Sequence, residues 1–310
     1  MRALRGGRSQ AAFSRRAGYR TNVAYMWEAG RTFPTASVAL SVAARAGVDV
    51  RAALTRFYRV APDWLAQTPD LTQPAALCAL LEDLRAGRPL VQLAASVGRN
   101  RFAVARWVHG EAEPRLPDFL RLIEGLTLRL LDFVAAFVDP EQLPSIRKAW
   151  QRLESSRRAA YDAPWTHAVL RALELQAYAA LPRHRPGFIA ARLGITQAEE
   201  SRCIKLLALT GQIKRRKGRW QVSEISAVDT RRDPDAAARL RRFWAEVGLQ
   251  RAPDDANAVM SFNLGTLAAK DLERVRELHR RYFSELRAII AESAPGEHVL
   301  LANVQLVHLA

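Results

Sequence analysis

The sequence predicts a mainly α-helical chain assembled from several small modules. Three observations predict it. Apolar residues recur at helical spacing through most of the 310 residues, interrupted at short intervals by Gly and Pro. A block of more than fifty residues recurs without gaps 80 positions later in the chain. The β-prone stretches are few: two short runs around a basic tip near residue 216, and alternating runs close to the C-terminus.

The first element pair lies in Ser9 to Pro34. Ser9 can cap a helix that runs through Ala17. Gly18 permits the left-handed backbone of a tight turn, and a second helix follows from about Thr21 to Glu28 with Ala24 and Trp27 inward. Gly30 ends it and Pro34 opens the next element. Helix, short glycine turn and helix is the layout that places a second helix in the major groove of duplex DNA.

This stretch resembles the Cro/C1-type, phage-repressor-like helix-turn-helix family over about residues 4–58. Ser9-Gln10, Gly18, Trp27-Glu28, Gly30, Pro34 and the apolar run Leu40, Ala43, Ala44, Val48 carry the resemblance. It implies a five-helix domain that docks its third helix on DNA. Gln10, Thr21, Asn22 and Met26 then fall where that family touches bases or nearby phosphates, although Met26 departs from the usual polar residue. Arg20 falls at the N-terminus of the reading helix, suited to a phosphate. Asn22 is the expected base reader, since an amide pairs bidentately with adenine. Tyr25 and Arg31 complete the expected DNA-binding set.

The second block copies the first. Leu4 to Arg8 recurs as Leu84 to Arg88, and the same offset maps Gly18 on Gly98, Trp27 on Trp107, Gly30 on Gly110, Pro34 on Pro114 and Phe57 on Phe137. Gln10 becomes Leu90 and Glu28 becomes Val108. The second reading helix holds Asn100, Arg101, Phe102 and Arg106; Asn100, Arg101 and Arg106 form a candidate second DNA contact. Two roles fit this copy: packing or dimerisation, or a grip on a second half-site.

The third block opens with a basic linking helix over 145–160. Helices are expected over Ala168–Leu181 and Pro186–Leu193, and Thr196-Gln197-Ala198-Glu199 is a capping box opening a helix to about Leu209. That helix is expected to expose Gln197, Glu199 and Glu200. A hairpin follows over Gln212 to Val222 with a basic tip. Three helices and a basic hairpin resemble a winged helix, whose wing Lys214, Arg215, Arg216 and Lys217 would lie along the phosphate backbone without reading sequence.

The last block reads as a small α/β module. A helix from Asp235 to Gly248 precedes a strand-like alternation over Ala258–Leu264, a long helix from Thr266 to about Glu292, and a final strand over Val299–Leu309. Residues 165–310 resemble bacterial helix-turn-helix regulators that end in a domain of unknown function. Two strands make a marginal sheet, so pairing with a second chain is expected to give a homodimer.

The fold class is therefore mainly α: tandem Cro/C1-type helix-turn-helix domains (1–66 and 67–139), a linking helix with a winged-helix-like domain (140–232) and a C-terminal α/β dimerisation or effector module (233–310). Charge agrees with a polyanionic partner. The net charge is +16, but residues 1–70 hold 11 basic against 4 acidic side chains and residues 141–230 hold 16 against 8, while residues 71–140 hold 8 of each.

Cys78 and Cys203 offer neither a disulfide framework nor a zinc site and read as small core residues. The six histidines form no ligand-spaced pair, no nucleotide-binding glycine loop is present, and no cofactor or metal is expected. Met1 to Gly7 lacks a signal peptide's apolar stretch and no apolar run spans a membrane, so the expected address is cytoplasmic and nucleoid-associated.

The function expected is that of a non-enzymatic, dimeric regulator of transcription. It would bind double-stranded DNA specifically and respond to an unknown protein or small-molecule effector. The alternative is a protein- or peptide-binding adaptor or antirepressor using the same helical domains. Single-stranded RNA ranks third, for want of basic–aromatic stacking platforms.

Overall fold

The computed structural model describes residues 1–58, 61–223, 230 and 232–309. The chain is mainly helical and forms two compact units, Met1–Trp150 and Gln151–Ala310. Among the described residues no helix is long and apolar enough to cross a membrane.

The first unit contains the repeat. Its helices are α1 (Arg2–Arg5), α2 (Gln10–Arg16), α3 (Val23–Glu28), α4 (Ala36–Ala46) and α5 (Val50–Tyr58), then α6 (Asp63–Gln67) and α7 (Pro74–Arg85), then α8 (Leu90–Val97), α9 (Arg101–Val108), α10 (Leu116–Thr127) and α11 (Leu130–Phe137). Capping sets the starts: Ser9 Oγ accepts from the Ala12 amide at 3.2 Å, and Thr35 Oγ1 from that of Val38 at 3.5 Å. Gly18 (φ +89°) and Gly98 (φ +63°) sit at equivalent turns, each in the left-handed region that favours glycine.

Equivalent parts of the two copies face one another. The Ala36 amide donates to the Pro114 carbonyl at 3.0 Å, and the Leu116 amide, 80 positions on, donates to the Pro34 carbonyl at 2.8 Å. Thr35 and Arg115, equivalent residues, form an antiparallel bridge. Arg56 Nη2 donates to the carbonyl of its own equivalent, Ala136, at 2.7 Å. Helix α5 packs on α11, with Phe57 edge-on to Phe133 at 5.3 Å. One core therefore serves both copies, including Leu40, Leu54, Phe57, Leu81, Val104, Phe119, Ile123 and Phe133. Helices α2 and α3 rest on a smaller core of Phe13, Ala17, Ala24 and Val42.

The second unit begins within α12 (Arg147–Asp162) and continues with α13 (Trp165–Ala172), α14 (Gln176–Ala179), α15 (Phe188–Leu193), α16 (Gln197–Leu209), an antiparallel hairpin of β1 (Ile213–Arg216) and β2 (Arg219–Val222), then α17 (Pro234–Arg251) and α18 (Ala269–Glu292). Thr196 caps α16 through the Glu199 amide at 3.1 Å, as the capping box predicts. Val169, Tyr178, Ile189, Leu193, Cys203, Leu207 and Ile213 form its core.

Two expectations are corrected here. The α/β module does not form within one chain: 258–264 and 299–309 belong to no strand, and the two-stranded hairpin is the one sheet among the described residues. Alternating apolar side chains make a segment strand-ready, but a ladder needs a partner for its amides and carbonyls. Both segments stay open, with Val259 93% and Phe262 91% exposed. The second correction is Cys78, which is half-buried rather than a core residue; Cys203 is buried.

Candidate nucleic-acid interface

Helix α3 is held from one side by a buried carboxylate. The Glu28 side chain is 2% exposed. It accepts from Arg5 Nε at 2.8 Å and from Gln10 Nε2 at 2.9 Å, with Arg2 Nε 3.7 Å away. Burial alone would raise its pKa, but the hydrogen bonds from Arg5 and Gln10 and the charges of Arg5 and Arg2 outweigh that and hold it below the usual carboxylate value. The cluster ties α1 and α2 to the end of α3. Gln10 is thus spent on Glu28, inside the fold.

Ser14 performs a related duty. Its buried hydroxyl accepts from the Ala24 amide at 3.0 Å and donates to the Gln10 carbonyl at 2.8 Å. It also lies 3.3 Å from Asn22 Oδ1. Asn22 is the N-cap of α3, its Oδ1 accepting from the Tyr25 amide at 3.4 Å. A bidentate contact with adenine needs that same oxygen, so Asn22 must release the cap to read a base in that way. Met26 is half-buried.

The opposite face of α3 is open. Arg20, Thr21, Tyr25 and Arg31 are exposed, as is the Asn22 residue. The Arg31 guanidinium lies 5.4 Å from the Tyr25 ring centroid. Arg15, Arg16, Arg20 and Arg31 pair with no carboxylate among the described residues. This is an exposed cationic face built on a fixed backbone.

The equivalent face of the second copy differs. Asn100 caps α9 through the Phe102 amide at 2.8 Å. Phe102 is 65% exposed, and the Arg101 guanidinium covers its ring at 5.0 Å. Arg106 is exposed, 3.9 Å from Glu111. Arg99 and Arg121 share Asp118, and Arg85 pairs with Glu82.

In the second unit the basic hairpin is present with Lys214, Arg215, Arg216 and Lys217 exposed. Arg216 lies directly opposite Arg219, and the two-residue turn carries Lys217 (φ +46°) and Gly218 (φ +77°), both positive as a primed hairpin turn requires. Like charges opposite one another are mutually repulsive, and an anion between them relieves that. The hairpin's base is anchored: the Trp220 amide donates to Tyr178 Oη at 3.2 Å, His184 Nδ1 lies 3.2 Å from the same hydroxyl, and the His184 amide donates to the Gly218 carbonyl at 2.9 Å.

Behind this anchor lies Glu200, which corrects a further expectation. It is buried at 1% exposure rather than presented to solvent. One of its oxygens accepts from the Ala190 amide at 2.7 Å, and the other lies 3.9 Å from His184 Nε2. Burial lowers the His184 pKa below its ordinary value against the opposing pull of Glu200. The capping-box spacing marked the helix start correctly but could not show that its fourth residue turns inward. Tyr178 and His184 went unmarked in the sequence reading because they join α16 and the hairpin through tertiary contacts alone.

A family model described as a domain of unknown function, DUF4423, matches residues 145–309, more than half of the chain. No family of helix-turn-helix regulators matches. No curated protein and no solved structure matches the chain.

Proposed function

The chain belongs to the DUF4423 family, and on that premise, with an open cationic face on α3, we propose that it is a non-enzymatic, sequence-specific double-stranded DNA-binding regulator of transcription. Helices α2 and α3 act as a Cro/C1-type helix-turn-helix. The α3 face, with Arg20, Thr21, Tyr25 and Arg31, enters the major groove, and the Lys214–Lys217 tip follows phosphates as a sequence-blind wing. The observation that carries this reading is the division of α3: its inner side is fixed by Glu28 and Ser14, while its outer side offers unpaired arginines and an aromatic ring.

The C-terminal region supports a homodimer. Most of the exposed large apolar side chains lie between Val259 and Leu309, and α18 adds exposed Leu278, Tyr282, Ile289 and Ile290. Two alternating segments from each of two copies supply four strands, enough for an independent sheet.

The test is selection of bound fragments from random duplex DNA with the full chain, with RNA as competitor. Enrichment of a defined duplex motif is expected, lost in a Tyr25→Ala/Arg31→Ala variant that keeps the wild-type far-ultraviolet spectrum. Equal retention of random duplexes, or preference for RNA, refutes the reading.

A further inference from the structure

We propose that the two repeats form an intramolecular dimer in which α3 and α9 of one chain read the two halves of a single asymmetric DNA site. The inference rests on the DNA-binding reading above and extends it to the second copy.

The contacts between the copies have the signature of a two-fold axis. In an isologous interface residue i meets j and j′ meets i′. Here Ala36 bonds Pro114 while Leu116 bonds Pro34, and each pair is the other displaced by 80 positions in both members. Residues on such an axis meet their own equivalents, as Thr35 meets Arg115 and Arg56 meets Ala136. Helix α4 faces α10 and α5 faces α11. Helices α3 and α9 hold equivalent places in the repeat, although α9 enters the shared core through Val104 and Val108 while α3 rests on the smaller core of Phe13, Ala17, Ala24 and Val42. Duplex DNA carries local two-fold axes of its own, and a two-fold protein reads half-sites about one helical turn apart. A second chain, which other readers of this kind require, is unnecessary for that grip.

The two halves cannot be the same sequence, because the reading faces differ. The α3 face is Thr21, Tyr25 and Arg31; the α9 face is Arg101, Phe102 and Arg106. Phe102 is the telling residue. Phe102 is 65% exposed beneath the Arg101 guanidinium, and an apolar ring matches a thymine methyl as an adjacent guanidinium matches guanine.

The experiment uses the full chain and the duplex enriched from the random pool. Blocks about ten base pairs apart are scrambled one at a time, and affinity is measured for the wild type, Arg101→Ala/Phe102→Ala and Tyr25→Ala/Arg31→Ala. These side chains are exposed, so folding should survive; circular dichroism verifies it. Each double variant is expected to lose about tenfold or more on the intact site. It should lose nothing further when its own half is scrambled, and each variant should map to a different half. If the α9 variant binds as the wild type does, or if the α3 variant alone accounts for both halves, the intramolecular dimer is refuted while DNA binding stands. Failure of the wild-type chain to enrich any duplex overturns both.

Discussion

Replacing Glu28 by valine installs the residue found at the equivalent place in the second repeat, Val108, without its surroundings. The carboxylate accepts from Arg5 and Gln10, and it is almost wholly enclosed. Removing it leaves the half-buried Gln10 amide without an acceptor, a loss of roughly 1–3 kcal/mol. Arg5 can turn towards water, so the change falls short of the ~3–5 kcal/mol typical when one member of a buried ion pair is deleted. A loss of about 2 kcal/mol is expected for Glu28→Val, within the range for such substitutions. Gln10→Leu alone removes one of the bonds to a charge that keeps Arg5, and should cost about 1 kcal/mol. Together the two substitutions recreate the Leu90 and Val108 combination, both part of or packed against an apolar core. The introduced leucine then meets the introduced valine, and the double variant should lose about 1 kcal/mol rather than 3, a coupling of about 2 kcal/mol. Arg2→Glu added to the pair would reproduce the Glu82–Arg85 ion pair as well. Hydrogen exchange of the α3 amides in the full chain reads the local opening energy directly. Additive losses within about 0.5 kcal/mol would show that Gln10 and Glu28 do not act as one unit, and the account of the repeat's divergence would fall with that.

Phe119→Ala should cost about 3–5 kcal/mol, because the ring is fully buried against Phe133 at 5.6 Å in the core both repeats share; denaturant unfolding of the first unit should show one transition moved, and two separated transitions would contradict a shared core. His184 has a folded pKa lowered by burial, so the unfolded chain takes up its proton first: protection of the β1–β2 hairpin amides should be unaffected above about pH 6.5 and decline as pH falls below it, a slope that His184→Gln should abolish. Arg216→Ala should weaken all duplexes alike and reduce the slope of log affinity against log salt by about 0.9, and a change confined to one DNA sequence would show that the hairpin reads bases.

The repeat was legible because its markers are residues with narrow backbone or packing duties. Gly18 and Gly98, Pro34 and Pro114, and Trp27 and Trp107 kept their register, and helices α2 and α3 of the first copy fall within two residues of the expected ends, whereas the single helix expected over Ala168–Leu181 divides into α13 and α14. Caps at Ser9 and Thr196 were equally plain. The inward commitments of Gln10, Asn22 and Glu200 were not legible from residue type, since a polar side chain on a helix looks the same whether it meets water or a partner. A signal for Gln10 did exist: it and Glu28 changed together to Leu90 and Val108, as contacting residues do. No such second copy exists for Glu200, whose partners come from α15 and from His184. At the C-terminus alternation marked segments that form no strand, because pairing is a property of two segments and neither finds a ladder partner among the described residues.

The neutrality of the second repeat is what an asymmetric reader needs. Phosphate contacts raise affinity for every duplex equally, whereas base contacts raise it for one. Under the proposed reading, Arg15, Arg16, Arg20 and the Lys214–Lys217 tip supply the sequence-blind attraction. A second copy equally rich in free arginine would strengthen non-specific binding as much as specific binding and so lower their ratio. The second copy has lost those arginines: Arg15, Arg16, Arg20 and Arg31 correspond to Ala95, Ser96, Asn100 and Glu111, and of the arginines it does carry, Arg99 and Arg121 share Asp118 while Arg85 pairs with Glu82. On the outward face of α9, Arg101 lies over Phe102, and Arg106 is exposed 3.9 Å from Glu111. On the proposed reading, the second copy would add little sequence-blind attraction and would contribute through Arg101 and Phe102, which have no counterpart in the first copy's Thr21 and Asn22.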